Sequence, residues 1–129
     1  MDRLMVNRLC ADVAGAAAFY ERLLGLERRF TSDWFVLLGC ERVAGMELGL
    51  LDRDHDTVPD GTRGAAAGTV LTFVVADCDA IHARARDMGA EIVQPPADTA
   101  YGQRRMLLRD PDGAIIDVSA PTAPAPRGA

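Results

Sequence analysis

The chain has 129 residues, 49% of them hydrophobic and 26% charged, with a formal net charge of −5 at pH 7. That length suits one domain with a real core, and the acidic balance argues against nucleic acid as the main partner, since phosphate binding needs a basic surface. No apolar run reaches the roughly eighteen residues of a membrane span, and Met1-Asp2-Arg3 leads into a strand without a signal-peptide pattern.

Residues 4–11 read as the first strand, and Asp12 is placed to cap a helix by accepting from the free N–H groups of its first turn. Val13, Ala16, Ala17, Tyr20, Leu23 and Leu24 recur at helical spacing, and Gly25 closes the helix. Three strands are expected near 26–31, 34–39 and 45–51, the second carrying Trp34-Phe35-Val36-Leu37-Leu38. Residues 52–68 then lose all periodicity and read as a connector or a mobile lid, with the charge run Asp52-Arg53-Asp54-His55-Asp56 and flexible glycines after it.

A second, similar series follows. Thr69 to Val75 is an almost continuous apolar strand, and Asp77 or Asp79 caps a helix striped by Cys78, Ile81, Ala85 and Met88. Gly89 ends that helix, and strands are expected near 90–94, 104–109 and 114–118. The last two are joined by Asp110-Pro111-Asp112-Gly113, where proline fixes φ and glycine accepts a positive one. The Ala11-Asp12 and Ala76-Asp77 pairs thus mark two copies of one βαβββ unit: module one over 4–51, the connector 52–68, and module two over 69–119. The expected domain is 1–119, with a Pro/Ala-rich tail at 120–129. Cys10, Cys40 and Cys78 are odd in number and lack CxxC spacing, so neither a disulfide framework nor a zinc knuckle is expected, and a reducing cytoplasm is the natural setting.

The helix ending Phe19-Tyr20-Glu21-Arg22-Leu23-Leu24-Gly25, the Asp77-Cys78-Asp79-Ala80 cap, and Tyr101-Gly102-Gln103-Arg104 before Arg109-Asp110-Pro111-Asp112-Gly113 resemble the vicinal oxygen chelate superfamily. That superfamily contains glyoxalase I, the bleomycin-resistance proteins and the extradiol dioxygenases. The resemblance covers residues 4–119 and implies an α+β fold. Two βαβββ modules would form a curved mixed sheet around a cavity, helices outside, commonly as a homodimer. Fold alone does not give function.

Metal-using members carry a histidine on the first strand of each module, which the resemblance maps near Met5 and Val70, and neither can ligate a metal. The carboxylates it maps to the last strands are Glu47 and Asp117, the candidate catalytic or metal-binding groups. Two carboxylates without imidazole are an incomplete site for zinc, nickel or iron, and the only histidines are His55 in the connector and His82 on the second helix. No metal and no cofactor are therefore expected. Candidate ligand-binding residues are Asn7, Trp34, Phe35, Glu47, Thr72, Tyr101, Gln103 and Asp117, an aromatic and polar set suited to a small-molecule pocket. An inward arginine of the Arg28-Arg29 or Arg104-Arg105 pairs would want Glu47 or Asp117 as its partner.

The leading expectation is a metal-independent protein that sequesters an aromatic or planar natural product, as in antibiotic resistance. The alternative is a lyase, isomerase or dioxygenase acting through a noncanonical metal site of Glu47, Asp117 and His55, or through a carboxylate general base.

Overall fold

The computed structural model describes residues 1–64 and 67–122. Residues 65 and 66 of the expected connector and 123–129 of the expected tail lie outside the described residues. The chain divides into two compact units, Met1–Ala67 and the part from Gly68 onward, each with the order βαβββ.

The first unit contains β1 (Val6–Cys10), α1 (Val13–Leu24), β2 (Glu27–Thr31), β3 (Phe35–Cys40) and β4 (Val43–Asp52). Asp12 caps α1 by accepting from the Gly15 N–H at 3.1 Å, and Gly25 ends the helix at φ 68°. The buried stripe of α1 is Val13, Ala16, Ala17, Tyr20 and Leu23. It faces a mixed sheet of order β1-β4-β3-β2, in which β1 and β4 run parallel. Val36 and Leu38 of β3 and Leu48 and Leu50 of β4 are the buried residues on that side, so the core lies between helix and sheet.

The second unit repeats this with β5 (Leu71–Val74), α2 (Cys78–Asp87), β6 (Ile92–Asp98), β7 (Gln103–Arg109) and β8 (Ile115–Pro121), in sheet order β5-β8-β7-β6. Asp77 caps α2 by accepting from the Ala80 N–H at 3.1 Å. Cys78, Ile81 and Ala85 form the buried helix stripe, with Met106, Leu108, Ile116 and Val118 buried in the sheet. The α+β class and the two βαβββ modules expected from the sequence are both present.

Several local details differ from the expectations. Strand β3 starts at Phe35, leaving Trp34 in the preceding turn. There the Ser32 hydroxyl accepts from the N–H groups of Trp34 and Phe35 at 3.4 and 3.1 Å and consumes the start of the strand. The second-module strand is shorter than Thr69–Val75 and lies at a sheet edge, with Val70 and Val74 55% and 67% exposed. Strand β8 carries on through Ala120 and Pro121, where the sequence places the tail. A proline is admitted because it closes the strand, opposite Gln103.

In the described part of the connector the side chain of Arg63 organises a turn. The Arg63 guanidinium donates from Nη1 to the carbonyls of Arg53 at 2.7 Å and His55 at 3.2 Å, and from Nη2 to that of Val58 at 2.8 Å. Val58 is buried beneath it. One guanidinium thus satisfies the Arg53 and Val58 carbonyls and adds a second bond to the His55 carbonyl, which already accepts from the Val58 N–H at 3.0 Å.

No disulfide forms among the described residues; Cys10 and Cys78 are buried and Cys40 is half-buried. The Cys78 thiol donates to the Val118 carbonyl at 3.4 Å, and burial pushes its pKa up. No helix among the described residues is long and apolar enough to cross a membrane.

Candidate functional site

Each sheet has one side packed on its helix and one side without a helix, and side-chain parity decides what each carries. In the first module the helix-free side presents Phe35, Leu37 and Gly39 of β3 against Leu51, Gly49 and Glu47 of β4, with Asn7 of β1 beside Gly49. A Cβ on Gly49 would meet Asn7 Oδ1 at 2.2 Å and the Phe35 ring at 2.9 Å. The missing side chain therefore lets the Asn7 amide and the Phe35 ring lean over the sheet.

Aromatic rings continue the surface. Phe30 and Trp34 each sit with ring centroids 6.1 Å from Phe35, at interplanar angles of 44° and 46°. Trp34 itself stacks flat on the His55 imidazole, at 3.7 Å and 6°. The His55 ring is fixed in turn by Thr57, whose backbone N–H donates to Nδ1 at 3.2 Å. Phe30 is 55% exposed and Trp34 and Phe35 are half-buried, so a four-ring shelf remains partly open.

Glu47 lies at the far end of this side, opposite Gly39. Arg3, from the segment ahead of β1, grips it through Nε and Nη2, each 2.6 Å from one carboxylate oxygen. That hydrogen bonding holds the Glu47 carboxyl below its ordinary range and raises the Arg3 guanidinium.

The corresponding side of the second module is polar. Asp117 Oδ2 accepts from Arg105 Nε at 3.1 Å and from the Thr72 hydroxyl at 3.2 Å. Arg105 is thus the inward arginine that the sequence allowed for. Asp117 is buried, and its Oδ1 has no hydrogen-bond partner among the described residues; the same holds for Gln103 Oε1. Arg104 points the other way, to Asp79 at the start of α2 and to Asp98. Both partners hydrogen-bond its guanidinium and raise its pKa, Asp98 foremost. Tyr101 stands 61% exposed in the β6–β7 turn.

The structure thus brings Asn7, Trp34 and Phe35 together in one module and Thr72 and Asp117 in the other. Glu47 and Asp117 are not counterparts. Aligning the modules on their capping aspartates matches Asn7 with Thr72; Asn7 pairs with Gly49, and Thr72 with Asp117. The counterpart of Asp117 is therefore Gly49, and Glu47 falls one pleat away. Phe30, Arg3 and Gly49 escaped the sequence reading. Only Gly49 left a sequence signal, as the one residue without a side chain at its parity among Glu47, Gly49 and Leu51.

The donor set does not fit a divalent metal. Each candidate carboxylate already holds a guanidinium, and no group of three His, Cys, Asp or Glu among the described residues could surround an ion.

A family model described as the Glyoxalase/Bleomycin resistance protein/Dioxygenase superfamily matches residues 3–118. The chain is 32% identical over 126 residues to the anthracycline biosynthesis protein DauV of Streptomyces sp. (strain C5), covering 88% of this chain and 39% of that protein. It is 36% identical over 117 residues to the anthracycline biosynthesis protein DnrV of Streptomyces peucetius, covering 85% and 38%. The chain thus spans about two fifths of the length of these curated relatives. Among solved structures, a glyoxalase/bleomycin resistance protein/dioxygenase family enzyme from Burkholderia phytofirmans PsJN superposes with a TM-score of 0.77. The match covers 90% of this chain and 95% of that one at 19% identity, a likeness of fold.

Proposed function

The chain belongs to the glyoxalase/bleomycin resistance protein/dioxygenase superfamily, and from that premise we propose that it binds a planar aromatic small molecule without using a metal. The observation that carries this reading is the open aromatic shelf of Phe30, Trp34 and Phe35 beside the side-chain gap at Gly49. A flat ligand laid on Phe35 gains about 0.5–1.5 kcal/mol per ring contact beyond the apolar area it buries. The Asn7 amide supplies a polar contact that orients it. Taken by itself, the second module offers Thr72, Gln103 and Asp117 as proposed polar contacts and Tyr101 as an exposed ring. The names of DauV and DnrV support the chemistry, since an anthracycline is a fused planar ring system.

Trp34 is the only tryptophan in the chain, so its emission is a built-in reporter. Titration with an uncharged anthraquinone is expected to quench Trp34 saturably, and Phe35→Ala should weaken that binding about tenfold. Unchanged emission, together with no retention of the probe in equilibrium dialysis, would refute the reading.

A catalytic reading has one observation in its favour, the buried Asp117 Oδ1 without a partner among the described residues. An acceptor so placed could take a proton from a bound C–H or O–H acid. Asp117→Asn would then lower turnover by a far larger factor than it lowers ligand affinity.

The proposal further places the protein in the cytoplasm, as a homodimer, a setting that suits three cysteines without a disulfide. The exposed Val70 and Val74 at the β5 edge support self-association, because an open apolar sheet edge invites a partner. Sedimentation is expected to give twice the chain mass of 13.8 kDa, and Val74→Arg to give a monomer. A monomeric wild-type protein would remove this part of the proposal.

A further inference from the structure

We infer that Glu47 is the subsite for a cationic group of the aromatic ligand, and that Arg3 stands in for that group when no ligand is bound. The inference rests on the aromatic-binding reading above and extends it from ring stacking to charge.

The two halves of the Arg3–Glu47 pair are built differently. Glu47 is held in β4, its side chain 22% exposed, opposite Gly39 and in line with the side-chain gap at Gly49. Arg3 belongs to a segment outside any strand or helix, with its own side chain 58% exposed and Met1 and Leu4 open to water on either side. The carboxylate is therefore the fixed receptor and the guanidinium the exchangeable occupant.

Glu47 also borders two clefts. One, of about 340 Å³, is lined by residues that include Arg29, Gly39 and Cys40; the other, of about 380 Å³, by Arg3, Leu4 and Gly45 among others. Arg3 lines the second of these clefts with Glu47 and is absent from the lining of the first. Arg29, the other cation near Gly39, is engaged with Glu27 at 3.3 Å, which leaves Arg3 as the resident partner.

Exchange is favourable for a tethered cation. An exposed ion pair contributes little, because both charges give up water and side-chain freedom to form it. A ligand whose ring already stacks on Phe35 presents its cation at high local concentration and loses little more on docking it. Phe35 and Gly39 are four residues apart on β3, so the ring and the charge should be separated by roughly 13 Å along the strand. The ligand class is thus a planar aromatic with a basic amine or guanidine on an arm of about that reach.

Dansylcadaverine and its N-acetyl derivative share ring and arm, and acetylation replaces the terminal cation by a small neutral amide. Affinities of both, read from dansyl emission, are to be compared in wild type, Arg3→Gln and Glu47→Gln. Wild type is expected to prefer the amine. Arg3→Gln should tighten amine binding roughly two- to fivefold and leave the acetylated probe unchanged, the scale of one exposed pair. Glu47→Gln should erase the preference. If both probes bind alike in all three proteins, the charge subsite is refuted and the aromatic reading stands. If neither probe binds and the anthraquinone also fails, both fall. Should Glu47→Gln lose its fold by circular dichroism, the Arg3→Gln comparison decides alone.

Discussion

Asp110→Ala is expected to lower the free energy of unfolding by roughly 3 kcal/mol, because the residue closes the β7–β8 turn from inside. Its Oδ1 accepts from the backbone N–H groups of Asp112 and Ala114, each at 3.0 Å, while its own N–H donates to the Ala114 carbonyl at 2.8 Å. Asp110 is 5% exposed and Ala114 7%. Alanine would therefore leave the buried Ala114 N–H without an acceptor that water could replace, and lost hydrogen bonds to a charged group count about 1.5–3 kcal/mol apiece. A domain of this kind has about 5–15 kcal/mol in total, so the loss should show as a clear drop in the urea midpoint at unchanged slope. Asp110→Asn keeps the accepting oxygen and should recover most of the loss. If alanine and asparagine behave alike, the acceptor geometry is not what matters.

Gly49→Val should cut affinity for planar aromatics at least tenfold, about 1.4 kcal/mol, while the protein still folds. The backbone at Gly49 does not need a positive φ, so valine suits the strand itself. The conflict is with side chains. The new Cβ lies where Asn7 Oδ1 and the Phe35 ring now sit, and both can turn away at the expense of the site they form. Overpacking should reduce stability by about 1–3 kcal/mol, leaving most of the molecule native. Far-UV circular dichroism would check the fold, and Trp34 emission the binding. A folded Gly49→Val protein with wild-type affinity would move the ligand off this side of the sheet.

Much of the architecture was legible in the chain because local signals agreed with it. Asp12 and Asp77 cap the helices that the apolar spacing predicts, Gly25 ends the first, and Asp110 to Gly113 turns the last hairpin. Register was not legible. Glu47 and Asp117 read as equivalents by their place near the chain end of each module, yet pairing across the sheet sets them one pleat apart. A two-residue offset keeps the same parity, so no hydrophobic alternation could have revealed it. Contacts made by long side chains were equally hidden. Arg63 crosses up to ten positions to order the connector and Arg3 crosses 44 to reach Glu47, distances that no local pattern encodes. Apolar character also misled at β5, where edge position leaves Val74 in water despite its neighbours.

The uneven burial of the three cysteines gives the native sequence a labelling handle. Cys10 and Cys78 are enclosed, and burial disfavours the Cys78 thiolate that would react. Cys40 alone is only half-buried, and it lines the same cleft as Glu47. A maleimide dye would therefore report from the cleft that Cys40 shares with Glu47, and a bifunctional thiol- and amine-reactive reagent would test the proposed charge subsite by capturing an amine there, with no engineered residue required.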